Sequence, residues 1–166
     1  AVATAALSAG TLAVAHADTA PASWLTFAAL AASAATAQVF IVRTGRSHGF
    51  HTAIVFVTAG ALLLPPELVA LMVVIQHVPE WLKMRYRWYL QTFNICNYVL
   101  GSMAVWFLAK TILGWNAIPN KELRLAVAGL VCCVVFVAIN HTVLALMLHF
   151  ARRHTLQAQE RQAASA

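Results

Sequence analysis

The sequence predicts an all-α fold: a polytopic bundle of about six transmembrane helices, including a short helical hairpin hinged at Pro65-Pro66, with the C-terminus in the cytoplasm. Three observations lead there. The first is composition: 61% of the 166 residues are apolar and only 10% are charged, with a mean hydropathy of +0.75. A soluble domain is usually near half apolar and about a quarter charged. The second is that the apolar residues fall in long runs separated by short Pro-, Gly- and charge-bearing breaks. The third is the charge balance, 11 Lys and Arg against 5 Asp and Glu, for a net +6. In a membrane protein that excess belongs in cytoplasmic loops facing anionic lipid, so membrane lipid is an expected partner and nucleic acid is not.

The first run, residues 1–15 (AVATAALSAGTLAVA), reads either as a weak signal-peptide core ending near Ala15 to Ala17 or as a transmembrane helix lacking its first residues. The second reading is preferred, because a cleaved signal would leave no cytoplasmic start. Asp18, Pro21 and Ser23 break this run, and Trp24 opens the next at a position suited to the membrane interface. Ala28, Ala32 and Ala35 form a small-residue face along it, predicting close helix packing in lipid.

Arg43 to Gly49 reads as a polar turn. The two apolar segments after it, Phe50 to Leu64 and Glu67 to Val78, are either one kinked helix or a hairpin. A helix of about 14 residues rises only about 21 Å, short of the roughly 30 Å hydrocarbon core. Charge placement favours the hairpin. It puts Arg43, Arg46, Lys83, Arg85, Arg87, Arg152, Arg153 and Arg161 on one face and leaves Lys110, Lys121 and Arg124 on the other, as positive-inside topology requires. Two consecutive prolines remove two backbone donors and disfavour helix just before them, so 64–66 reads as the tip. Pro66 then fits the first turn of the second arm, with Glu67 favourable at its positive end.

Pro79 to Arg87 (PEWLKMRYR) alternates aromatic and cationic residues, which predicts an interfacial segment anchored on the cytoplasmic leaflet by Trp81, Lys83, Arg85 and Arg87. Trp88 to Leu113 is the next full span, residues 116–120 are its loop, and Leu123 to Phe150 is the last span, stopped by Arg152 and Arg153. The expected division is therefore a transmembrane domain over 1–154 and a cytoplasmic linker or tail over 155–166. Cys96, Cys132 and Cys133 all lie in apolar runs, where cysteine behaves as a small hydrophobe, and no disulfide is expected.

Polar side chains inside spans are costly and mark candidate sites. These are Glu67 at the hairpin tip, Gln76 and His77 near the inner end of the second arm, Asn94 and Asn97 three apart on one helical face, and Asn140 and His141 in the last span with His149 two turns on; Glu67, Asn94, Asn97, Asn140 and His141 form the expected ligand site. The plainer alternative for the three asparagines is interhelical hydrogen bonding, and for His141 a bond to a neighbouring carbonyl. Seven histidines raise the question of haem or metal. Bis-histidine haem needs inward imidazoles at matching depth on two spans, and among His51, His77, His141 and His149 no pair repeats a ligand spacing. CxxC and HExxH patterns are absent, as are paired carboxylates, a glycine-rich phosphate loop and a serine-nucleophile motif. Neither a cofactor, a metal nor an enzymatic activity is expected.

The succession LLLPPE at 62–67, HVPEWLK at 77–83, WYLQTFNICNY at 88–98 and AINHTVLALML at 138–148 resembles the membrane-embedded N-terminal sensor regions that precede GGDEF or HD-GYP domains in bacterial cyclic-di-GMP signalling proteins. The resemblance covers most of the chain from Trp24. It implies a multi-pass sensor of the bacterial cytoplasmic membrane that binds a small hydrophobic or metabolite ligand and relays the event to a cytoplasmic output domain. The chain itself carries no GGDEF, HD or GYP motif. In helix plan it is also similar to the substrate-binding components of energy-coupling-factor vitamin transporters. A structural subunit of a larger membrane complex, or a homodimer packed on its apolar faces, is the remaining alternative.

Overall fold

A computed structural model describes residues 21–44, 48–85 and 87–164. The backbone forms five helices and one short ribbon: α1 (Pro21–Val39), β1 (Ile41–Thr44), β2 (His48–His51), α2 (Ala53–Leu63), α3 (Pro66–Met84), α4 (Trp88–Gly114) and α5 (Lys121–Ala164). The expected all-helical class therefore holds, apart from the ribbon. Residues 1–15 and Arg46 lie outside the described residues. Where a polar turn was expected, β1 and β2 pair antiparallel, Val42 opposite Phe50 and Arg43 opposite Gly49. Ile41, Val42 and Thr44 are β-branched and favour the extended backbone of such a ribbon.

Among the described helices, two are long and apolar enough to cross a membrane: Trp88–Gly114, and α5 over Lys121–Arg152. This is fewer than the six helices expected, of which the first lies outside the described residues; the other three described helices fall short for separate reasons. Ala, Ser and Thr dilute the hydropathy of α1. The 11 residues of α2 reach only about 17 Å. Glu67, Glu80 and Lys83 interrupt the apolar character of α3.

The Pro-Pro pair does divide two helices. Leu64 and Pro65 are both extended, at ψ 156°, and Pro66 opens α3. With Pro65 and Pro66 unable to donate, the buried turn gains a partner from another helix: the Trp106 indole N–H donates to the Leu64 carbonyl at 3.0 Å. Met72 folds back over Gly60, where an added Cβ would come 2.5 Å from its Cε, so the two helices pack against each other.

The second arm is longer than expected. Pro79 to Met84, read as an interfacial segment, is instead the last part of α3, with Pro79 inside the helix. Pro79 cannot donate to the Ile75 carbonyl one turn back; beside this gap Gln91 of α4 donates to the His77 carbonyl at 3.1 Å, tying α4 to α3. The helix ends at Arg85, which adopts the left-handed conformation at φ 49°. The last helix is longer too, continuing through Arg152 and Arg153 to Ala164, so the backbone of the expected tail is helical almost to its end.

The short α2 lies at the centre and touches the other four described helices, while α1 packs on α2 and α3, and α5 on α2 and α4. The core joins Val57 and Ala61 of α2, Leu68, Val69, Met72 and Val73 of α3, and Tyr98, Met103, Val105 and Ala109 of α4. On α1 the inward face is Phe27, Ala31, Ala34 and Gln38. Ala28 and Ala32, expected to pack, are exposed one residue round the helix from that face. Ala128, Cys132 and Phe136 recur at four-residue spacing on α5 and seal it against α4, where Gly101 leaves room for the Phe136 ring.

Candidate functional site

The stripe of α5 that carries Phe136 continues to the half-buried Asn140 and the exposed Leu144, and there the packing opens into a cavity of about 170 Å³. Its walls come from four helices: Gln38 of α1, His77 and Glu80 of α3, Phe93, Asn94, Asn97 and Tyr98 of α4, and Asn140 and Leu144 of α5. Helical geometry brings these residues together. His77 and Glu80 are three apart on α3, Asn94 and Asn97 three apart on α4, and Asn140 and Leu144 four apart on α5, so each pair shares one face.

Two hydrogen bonds frame the cavity. Gln38 Nε2 donates to Glu80 Oε2 at 2.7 Å, tying α1 to α3, and both residues are buried. Asn97 Nδ2 donates to Asn140 Oδ1 at 2.6 Å, tying α4 to α5. The remaining carboxamide oxygens, Gln38 Oε1 and Asn97 Oδ1, are buried without a hydrogen-bond partner. His77, 1% exposed, brings Nδ1 to 2.8 Å from the Val73 carbonyl. A carbonyl only accepts, so that nitrogen carries the proton. The imidazole meets Tyr98 edge-to-face at 4.8 Å, and Tyr98 meets Phe136 in the same way at 5.2 Å, which holds the aromatic wall in place.

Three of the five residues of the expected ligand site, Asn94, Asn97 and Asn140, thus line one cavity. The other two lie elsewhere. Glu67 is at the opposite end of α3 from Glu80, with both carboxylate oxygens buried and unpartnered near the hairpin tip. His141 is exposed, with Nδ1 2.9 Å from the Val137 carbonyl of its own helix. Gln38 and Glu80 were not among the expected residues. Glu80 falls in the stretch 79–87, whose alternation of aromatic and cationic residues reads as an interfacial segment. Its three-residue spacing from His77 was the available signal.

The expected anchors spread around the ends of α3, α4 and α5. Trp81, Lys83, Arg85, Arg87 and Arg152 are exposed, Lys83 Nζ lies 3.5 Å from the Val39 carbonyl, and Arg43 and Arg153 belong to β1 and α5. Arg87 donates to the Tyr89 hydroxyl at 3.2 Å, which pushes its pKa further above the usual value. Among the described residues, no three His, Cys, Asp or Glu side chains gather as a metal site. No family model, curated protein or solved structure matches this chain. The cavity's own chemistry therefore carries the functional argument: it can accept hydrogen bonds at buried carboxamide oxygens in a partly open space walled on one side by aromatic rings.

Proposed function

We propose that the chain is a multi-pass sensory domain of a bacterial cytoplasmic membrane, in which a small ligand in the four-helix cavity biases the position of α5. The observation that carries this reading is the 2.6 Å Asn97–Asn140 bond. It lies in the wall of the cavity and joins α4 to a helix of 44 residues, about 66 Å long, that runs to Ala164. A ligand that binds two placements of α5 unequally shifts their populations, and a continuous helix transmits that shift to whatever follows. The sequence resemblance to sensor regions of cyclic-di-GMP signalling proteins supports the same reading.

The test is a chimera in which a diguanylate cyclase reporter continues from the end of α5 in helical register. Asn140→Leu removes the bond between α4 and α5, and a several-fold change in reporter output at equal membrane abundance is expected. Equal output from the parent and the variant, with both folded, would remove α5 as the relay.

A second reading, a structural subunit of a larger membrane complex, draws on the apolar exposure of α5 at Leu130, Val134, Leu146, Leu148 and Phe150. Lipid covers such a face as readily as protein does. Mild-detergent purification with a stoichiometric partner helix would favour this subunit reading.

A further inference from the structure

Resting on the reading of the cavity as a ligand site, we propose that it takes a small organic cation, a primary ammonium compound with an apolar body, with the Glu80 carboxylate as its counter-charge. The argument starts from what lines the space. The wall holds one carboxylate, four carboxamides and the His77 imidazole, but no Lys or Arg among the described residues. Glu80 is 4% exposed and receives a hydrogen bond from Gln38. An ionised carboxylate so placed is stable only when paired or well hydrogen-bonded.

The orientation of Gln38 sharpens the point. With its N–H committed to Glu80, its carbonyl Oε1 is left buried and unpartnered on a side chain only 2% exposed, and Asn97 Oδ1 is in the same position at 4%. Both residues line the cavity. Two buried acceptors of the wall therefore lack a hydrogen-bond partner, and a ligand that satisfies them is a donor. An ammonium group supplies three N–H donors and one positive charge, whereas an alcohol supplies a single donor and no charge.

Size and shape settle the rest. An apolar cavity of about 150 Å³ admits benzene, so about 170 Å³ holds an organic body of that scale beside the charge. No three His, Cys, Asp or Glu side chains among the described residues gather to hold a bare metal ion. Phe93, Tyr98 and Leu144 give the apolar body a surface, and the aromatic faces favour a cation.

The experiment uses the full chain in lipid nanodiscs and three matched probes: benzylammonium, benzyl alcohol and benzoate. Binding is read by calorimetry and by the shift in thermal midpoint, and hydrogen exchange along α5 is followed in the same samples. Benzylammonium is expected to bind saturably and at least ten-fold more tightly than either of the others. Glu80→Gln should weaken it ten-fold or more while leaving benzyl alcohol unchanged. Should Glu80→Gln fail to fold, Asn94→Leu, at a partly exposed position of the cavity wall, fills the space and should also abolish benzylammonium binding.

Preference for benzoate, equal binding of benzyl alcohol, no saturable binding of any probe, or full affinity in Glu80→Gln each overturns the proposal. The last result would mean that the Glu80 carboxylate is not the counter-charge. The two readings fail separately. Glu80-dependent benzylammonium binding with unchanged exchange in α5 keeps the ligand class and removes the relay, while a neutral or anionic probe that alters α5 does the reverse.

Discussion

At Gln76, one side chain stands against the rule that buried amides are bonded: it is fully buried and neither atom of its carboxamide has a partner. Because nothing is lost with it, Gln76→Leu should raise the thermal midpoint, by a stability gain of about 1–3 kcal/mol. A lower midpoint would reveal a stabilising polar contact of this residue. Trp106 is the opposite case. Its indole N–H serves the Leu64 carbonyl at a turn where proline has removed the local donors. Trp106→Phe keeps the ring and should cost about 1–2 kcal/mol, read from thermal unfolding in detergent. An unchanged midpoint would show that water serves that carbonyl equally well.

At the scale of the element, the α4–α5 seam depends on one small residue opposite one large one. A Cβ at Gly101 would come 3.1 Å from Phe136 Cε2, so the ring has little room to retreat. Gly101→Val should destabilise the fold by about 1–3 kcal/mol through overpacking. Adding Phe136→Leu should recover part of that loss, and a double-mutant cycle with no coupling would show that the two do not meet. The N-terminus of α5 is set by Asn120, whose side-chain oxygen accepts from the Leu123 N–H at 2.9 Å. Asn120→Ala should fray the first turn of α5 at a cost of about 1 kcal/mol, visible as faster hydrogen exchange confined to residues 121–124. In α3, continuation past Pro79 shows how a proline that reads as a stop is overridden by tertiary contacts. The turn around it buries Gln76, His77 and Glu80 together.

For the whole molecule, the decisive property is how the apolar surface is shared between core and surroundings. The core draws on all five described helices, with Phe27 and Ala31 from α1 and Cys132 and Phe136 from the first half of α5, whereas the second half of α5 leaves Leu144, Leu146, Leu148 and Phe150 exposed. Two helices that pass by length and composition as spans predict a protein that resists alkaline carbonate extraction. Recovery in the soluble fraction would mean that the apolar face of α5 is covered by protein and not by lipid.

Composition and spacing alone made the helical class legible. Pro65-Pro66 had to separate two helices, because proline lacks a donor and restricts the residue before it. Asn94, Asn97 and Asn140 could be singled out because an amide in an apolar run is costly wherever it points. Which of these polar residues meet was decided by tertiary structure. Helical periodicity gives a residue's angle around its own axis, not the partner its face will find, so Asn94, Asn97 and Asn140 converge while Glu67 lies apart and His141 faces outward. Glu80 and Gln38 belong to the cavity for the same reason. Forty-two residues separate them in sequence, and only the packing of α1 on α3 brings amide to carboxylate.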